Sequence, residues 1–111
     1  MSSVNKIFIL GRLGAAPTIR QAGEKQVASF SVATEERWAA NVQTEWHTVE
    51  AWGALGERCA QYLVQGQQVH VEGQLRSDEW ERDGRKMKSW KIVARDVRFL
   101  DKPRGNNNGQ R

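Results

Sequence analysis

Hydrophobic and polar residues alternate with a period of two along residues 44–53, a pattern that predicts a β-strand. His47, Val49 and Ala51 fall on one face of this strand. The opposite face carries Trp46, Thr48, Glu50 and Trp52. The small, apolar face suits a core, so the pattern places two tryptophans on the polar side, where an indole ring is costly to leave in water.

The same period runs through residues 69–80, which we also predict to be a strand. Its apolar face is formed by Val69, Val71, Gly73 and Leu75. Its polar face is formed by His70, Glu72, Gln74, Arg76 and Trp80. Trp80 is therefore a third tryptophan on a polar face. The chain has five tryptophans in 111 residues, more than a core of this size needs.

Two segments near the amino end are also predicted strands. Residues 4–13 form the first, and this segment is apolar on both sides around residues 7–10. A strand buried on both faces needs a second covering layer, and part of that layer could come from another subunit. Residues 26–34 alternate in the strand pattern. The polar segment 35–44, which carries Trp38, is predicted to be a loop.

A helix is predicted after residue 53, because the period of the apolar residues changes there. Leu55, Cys59 and Tyr62 are spaced by four and three residues, and Leu63 follows directly. This spacing indicates an amphipathic helix of two to three turns that ends at Gly66. Cys59 is interpreted as a small buried hydrophobic residue of this helix.

The order of the elements predicts an all-β fold. After the helix and the strand 69–80, the Asp83–Gly84 pair is a hairpin signal, and residues 87–100 form the last strand. Three strands, a helix and two strands match an OB-fold, a five-stranded barrel with one helix between strands three and four. We expect one domain over residues 1–102. Residues 103–111, which have no apolar side chain after Pro103, are expected to be a disordered tail.

Composition excludes several classes of protein. No apolar run approaches membrane-spanning length, and the amino terminus has no apolar signal segment, so a cytoplasmic protein is expected. One cysteine and two separated histidines do not assemble a metal site, so we expect no metal and no cofactor. No nucleophile or phosphate-binding motif is present, and the protein is not expected to be an enzyme.

The charge balance becomes informative together with the tryptophans. The formal net charge of +4 favours a polyanionic partner. Cationic groups that meet phosphates, combined with rings on which bases stack, are the combination used by proteins that bind single-stranded nucleic acid. A flat ligand for the rings is therefore most simply a nucleobase.

These segments closely resemble the bacterial single-stranded DNA-binding proteins, the homotetrameric type with one OB-fold per subunit. The matching pieces are VNKIFILGRLGAAP, TEWH, YLVQGQQVHVEGQLR and VRFL. The resemblance implies a nucleoid-associated protein that binds single-stranded DNA with little sequence preference and protects it during replication, recombination and repair. By resemblance, Trp38, Trp46 and Trp80 match base-stacking tryptophans, Trp52 stands where the family has another stacking aromatic, and His47 matches a histidine near a subunit contact.

Basic residues and a fifth tryptophan are also expected to belong to the binding site. Phosphate contacts are expected from Lys6, Arg12, Arg37, Arg76, Arg82, Arg85, Lys86 and Lys88. Trp90 either extends the stacking surface or packs at the base of the hairpin. Asp78 and Glu79 precede Trp80 at positions where members of the family often carry basic residues, so the phosphate path is expected to be weaker or differently routed there.

The last residues of the sequence bear on the expected protein partners. Family members usually continue to an acidic tip that recruits replication and repair proteins, whereas this sequence ends at Gln110 and Arg111, so either the tip is absent or a longer protein has been cut. One alternative is an OB-fold adaptor that binds proteins more than DNA. Another is an OB-fold nucleic-acid enzyme or its accessory domain. RNA is an alternative ligand, because stacking alone does not detect the 2′-hydroxyl.

Overall fold

The structure is a computed structural model that describes residues 2–102. The predicted tail, residues 103–111, lies outside the described residues. Within these described residues, six strands and one helix follow one another. They are β1 (Ile7–Leu13), β2 (Thr18–Ala22), β3 (Lys25–Trp38), β4 (Asn41–Trp52), α1 (Gly53–Tyr62), β5 (Gln68–Arg82) and β6 (Arg85–Phe99). The described residues include no helix long and apolar enough to cross a membrane.

Five of the strands close into a barrel. β1 pairs with β5, β5 with β6 and β3 with β4, all antiparallel, while β4 and β6 run parallel. The pairing of Leu13 with Val32 joins β1 to β3 and completes the ring. The short strand β2 pairs with the first half of β3 on the same edge. The predicted all-β OB-fold with one helix between the third and fourth barrel strands is confirmed.

The core is built mainly from alternate residues of these strands. Val49 of β4 and Val69 and Val71 of β5 are fully buried, as the period of two predicted. The helix covers one end of the barrel, and Cys59 is buried there, which confirms its interpretation. Leu75, predicted to be on the apolar face, is 40% exposed, because β5 continues past the barrel at that point.

Several predicted boundaries are wrong. The first strand, predicted from residue 4, begins at Ile7. Residues 35–44 are not a loop, because β3 and β4 continue as a hairpin in which Trp38 pairs with Asn41. The two-residue turn is Ala39 and Ala40, which lacks the Asn-Gly or Asp-Gly signal of tight hairpins, although Ala39 has a φ of 53°. The helix ends at Tyr62 rather than at Gly66.

Gly66 instead belongs to the loop that joins the helix to β5. Its φ of 85° is in the left-handed region that glycine tolerates, and its N–H donates to the carbonyl of Leu13 at 2.8 Å. The hairpin turn predicted at Asp83–Gly84 is confirmed, with φ angles of 52° and 77° and Arg82 paired with Arg85.

Two long hairpins extend beyond the barrel. The β3–β4 arm comprises residues 34–46, and the β5–β6 arm comprises residues 76–91; their strands are paired to the tips, and most of their side chains are exposed. Because β4 and β6 are parallel, both tips project from the same end of the barrel. The outer surfaces of the two arms are therefore continuous with each other. Each arm also has an inner surface, which lies between the arms.

Candidate nucleic-acid interface

Trp46 and Trp52 lie on the surface of the barrel that faces solvent. They alternate with the buried Val49 and Ala51 along β4, so the strand pleat directs them outwards. Trp46 is 60% exposed and Trp52 is 38% exposed. The sequence prediction of two tryptophans on the polar face of this strand is confirmed.

Trp80 lies on the same surface, although it belongs to another hairpin. Glu50 of β4 is opposite Val93 of β6, and Val93 is opposite Gln74 of β5. Alternate residues of β5 after Gln74 therefore share the face of Glu50, and Trp80 is one of them. We call this surface, which carries Trp46, Trp52 and Trp80, the outer face.

Trp38 and Trp90 lie on the inner surfaces of the arms. Trp38 pairs with Asn41, an odd position of β4, and so lies on the face opposite to Trp46. Trp90 pairs with Ser77 and lies on the face opposite to Trp80. Both rings are about half exposed. The structure thus separates the five tryptophans into three on the outer face and two between the arms, and a stacking role stays a prediction for all five.

A cleft borders Trp46 on the outer face. It has a volume of about 420 Å³ and lies between the β1–β2 loop and the β3–β4 sheet. Its lining is mostly small and includes Gly14, Ala16, Ser31 and Thr48 beside the indole. The sequence analysis did not identify Gly14, which has no signature other than its place directly after β1. The cleft is large enough for a nucleobase to reach the ring of Trp46.

Trp52 is held by the carboxylate of Glu50. The indole Nε1–H donates to Glu50 Oε1 at 3.3 Å. The same oxygen is 3.1 Å from Lys91 Nζ, and Oε2 accepts a hydrogen bond from Arg20 Nη2 at 3.1 Å. Glu50 is only 7% exposed, although its position on the polar face predicted an exposed side chain. It is buried because these three donors cover it.

Lys91 connects Glu50 to the β5–β6 arm. Its Nζ is 3.1 Å from Asp78 Oδ2 as well as from Glu50, and its side chain is 17% exposed. Burial lowers the pKa of Lys91, but the hydrogen bonds and charges of Asp78 and Glu50 raise it further, so the pKa is above its ordinary value of 10.5. Asp78 thus pairs with a cation of this chain.

The predicted phosphate-binding residues fall into two groups. Four have partners: Lys6 with Glu72 at 3.2 Å, Arg12 with the Gly66 carbonyl at 2.9 Å, Arg76 with Gln74 at 3.1 Å and Lys88 with Glu79 at 3.6 Å. Lys88 Nζ also lies 4.8 Å from the ring centre of Trp90. The other four make no ion pair within residues 2–102 and are exposed: Arg37, Arg82, Arg85 and Lys86.

His47 lies on the inner side of β4, where it is half-buried. Its Nε2 is 2.9 Å from Thr34 Oγ1. It borders a smaller cleft of about 160 Å³ between β4 and β6, which Leu75 and Trp90 also line. Among the described residues no cluster of histidine, cysteine or acidic side chains could hold a metal ion. The side chains that this surface offers to a ligand are aromatic rings and cationic groups.

Comparison with known proteins agrees with this geometry. The sequence profile of the single-strand binding protein family matches residues 4–100. Single-stranded DNA-binding protein 1 of Xylella fastidiosa is 39% identical over an alignment of 116 positions, which covers 96% of this chain and 85% of the relative. Single-stranded DNA-binding protein 1 of Chlorobaculum tepidum is 38% identical over 105 residues, which cover 87% of this chain and 65% of the relative.

A solved structure is also similar. The SSB of Plasmodium falciparum in its complex with ssDNA superposes with a TM-score of 0.84 at 30% identity, covering 91% of this chain and 98% of that chain. The chain spans just under two thirds of the length of the Chlorobaculum relative. Because the family profile covers nearly all the described residues and the barrel superposes over nine tenths of the chain, this protein belongs to the single-strand binding protein family.

Proposed function

We propose that this protein binds single-stranded DNA with little sequence preference and protects it during replication, recombination and repair. The observation that carries the proposal is the outer face, where Trp46, Trp52 and Trp80 are exposed together on an otherwise polar surface. Every base has a π-face, so rings of this kind stack on any sequence, and each stack contributes about 1–3 kcal/mol. The names of the relatives and the ssDNA in the similar structure support DNA as the ligand.

The phosphates contact cations near the rings in this proposal. Four exposed cations lie on the two arms: Arg37, Arg82, Arg85 and Lys86. A DNA strand that passes between the outer-face tryptophans and the arm tips therefore contacts them. Phosphate contact releases counterions, which makes the affinity depend on salt. Trp38 and Trp90 extend the stacking surface to the inner sides of the arms.

We also propose that the protein works as a homotetramer. Phe8 and Leu10 of β1 are 58% and 53% exposed, while Ile9 between them is buried in the barrel. β1 therefore presents an apolar face that one chain leaves uncovered, as expected for a strand that packs against a second subunit. His47 lies at the inner cleft and contributes to a subunit contact.

Fluorescence titration tests the stacking proposal. Oligo-dT should quench tryptophan emission strongly, and a duplex of equal length should compete poorly because its bases are already stacked. Trp46→Ala and Trp80→Ala should each weaken binding by about 1–3 kcal/mol with folding intact. Trp46→Phe, which keeps an aromatic ring, is the matched control and should lose less. Normal binding by both alanine variants, together with a much lower melting temperature, would contradict the proposal.

Competition between oligomers separates DNA from RNA. We expect dT oligomers to displace labelled DNA more effectively than U oligomers of the same length. If the RNA oligomer competes equally, the ligand class is single-stranded nucleic acid in general.

A further inference from the structure

Glu50 is a buried carboxylate in the middle of a surface whose proposed ligand is a polyanion. A buried charge is costly unless donors surround it, and here the two oxygens receive three donors from three strands. Arg20 comes from β2, Trp52 from β4 and Lys91 from β6. The network thus joins the β2 edge to the β5–β6 arm directly beneath a stacking ring.

We propose that Glu50 is a positioning residue of the outer face, which fixes the indole of Trp52 and keeps Arg20 and Lys91 paired with carboxylates, so that phosphates do not contact these two cations. The proposal rests on the proposed function. It deepens that function by assigning Trp52 to a base and by excluding Arg20 and Lys91 from the phosphate contacts.

The geometry explains how Glu50 acts on Trp52. An exposed tryptophan rotates about two side-chain bonds, and ordering it when a base arrives reduces the affinity. The hydrogen bond from Nε1 to Glu50 holds the ring of Trp52 in place before the base binds. The ring face remains available, since the bond uses the ring edge and the residue is 38% exposed.

The two cations of the network are already neutralised. Lys91 is bonded to both Glu50 and Asp78 at 3.1 Å, and its side chain is mostly buried. A phosphate would have to displace a carboxylate to reach it, with no gain in net charge pairing. The cleft of about 390 Å³ beside Trp52 is lined by these paired groups, Glu50, Asp78 and Lys91, and by the exposed cations Lys25 and Arg76. The paired groups therefore suit a base, and phosphate contacts are left to Lys25 and Arg76.

The first test removes the charge of Glu50. In Glu50→Gln, Arg20 loses its carboxylate partner while Lys91 keeps Asp78, so the slope of log affinity against log salt should steepen by about 0.7 for the one new contact, with tighter binding of oligo-dT at low salt. Glu45→Gln is the matched control, because it removes the same charge from an exposed residue of the same strand that lies on the face opposite to Glu50. An unchanged slope in Glu50→Gln would overturn the proposal.

The second test measures the hydrogen bond to Trp52. Glu50→Met has no acceptor, and its effect on oligo-dT affinity is compared in the parent protein and in the Trp52→Phe variant, which has no ring N–H. Glu50→Met removes the carboxylate from Arg20 and Lys91 equally in both backgrounds. Glu50→Met should therefore be about three- to tenfold less favourable when Trp52 is present. Equal effects in the two backgrounds would show that Glu50 does not position the ring.

A third variant protects the proposal against loss of folding at Glu50. Lys91→Gln leaves the carboxylate in place and should not change the salt slope, whereas Lys86→Gln at the exposed arm tip should lower it by about 0.7. A lower slope in Lys91→Gln would mean that this lysine contacts phosphate. If the parent protein itself fails to bind oligo-dT, the proposed function fails; if it binds and the variants behave otherwise, only the role of Glu50 is wrong.

Discussion

Gly14 lies against the indole of Trp46, so closely that a Cβ on the glycine would be 2.6 Å from Cζ3 and 3.0 Å from Cη2 of the ring. The glycine is itself held by two hydrogen bonds, from its N–H to the Ser31 carbonyl at 3.1 Å and from Gln65 Nε2 to its carbonyl at 3.1 Å. The loop cannot retreat easily, so the missing side chain determines where the exposed ring rests.

Gly14→Ala should therefore displace the indole of Trp46 and weaken binding of single-stranded DNA by about 1 kcal/mol or more. The fold should change little, because Trp46 is 60% exposed and can swing into solvent. Fluorescence titration with oligo-dT and a thermal melt measure the two effects. In a Trp46→Ala background the same substitution should have almost no effect on binding, and an equal loss there would show that Gly14 acts independently of the ring.

The exposed cations of the β5–β6 arm should account for much of the salt dependence. Arg85→Gln and Lys86→Gln should each reduce the salt slope by about 0.7, since each removes one phosphate contact. Lys102→Gln is the control, because this exposed lysine follows the opposite end of β6. Titrations at several salt concentrations give the slopes. Similar slopes for all three variants would exclude the arm as a phosphate path.

The apolar face of β1 predicts how the chains assemble. Leu10→Glu should break the proposed tetramer into smaller species, because a charge there would be buried between subunits. Ile19→Glu places the same charge at an equally exposed apolar residue on β2 and should leave assembly unchanged. Native mass spectrometry at micromolar concentration measures both, and a monomeric parent protein would contradict the tetramer.

The buried thiol of Cys59 predicts a loss of stability at alkaline pH. Burial raises its pKa from 9.0 to about 11, opposed only in part by the charge of Arg58. Between these values the folded chain retains a proton that the unfolded chain has lost, so stability is full below pH 9 and falls as the pH approaches 11. The loss should be about 2 kcal/mol. Denaturant unfolding at pH 8 and pH 10.5 measures it.

Cys59→Ala is the control for this prediction. It lacks a titrating thiol and should lose less stability over the same pH interval, although its stability at pH 8 is lower because of the cavity. At pH 8 the thiol of the folded parent protein should react with a disulfide reagent only at the rate of unfolding. Rapid reaction in the native state would contradict the burial of Cys59.

The alternation of residues along the chain determined the elements and the fold class. Val49, Val69 and Val71 repeat at the strand period and are buried because side chains of a strand point alternately to the two faces. The same alternation placed Trp46, Trp52 and Trp80 on the polar side. It failed at Ala39, because the hairpin turn there is stabilised by the long pairing of β3 with β4 and has no local signal.

Tertiary structure decided which distant residues share a surface. Strand register assembles three tryptophans on the outer face and directs Trp38 and Trp90 between the arms, and register depends on pairing between strands. Glu50 looked exposed by its position on the polar side of β4, yet Arg20 and Lys91 from other strands bury it. No local pattern encodes such contacts, because the residues that make them are far apart in sequence and meet only when the barrel closes.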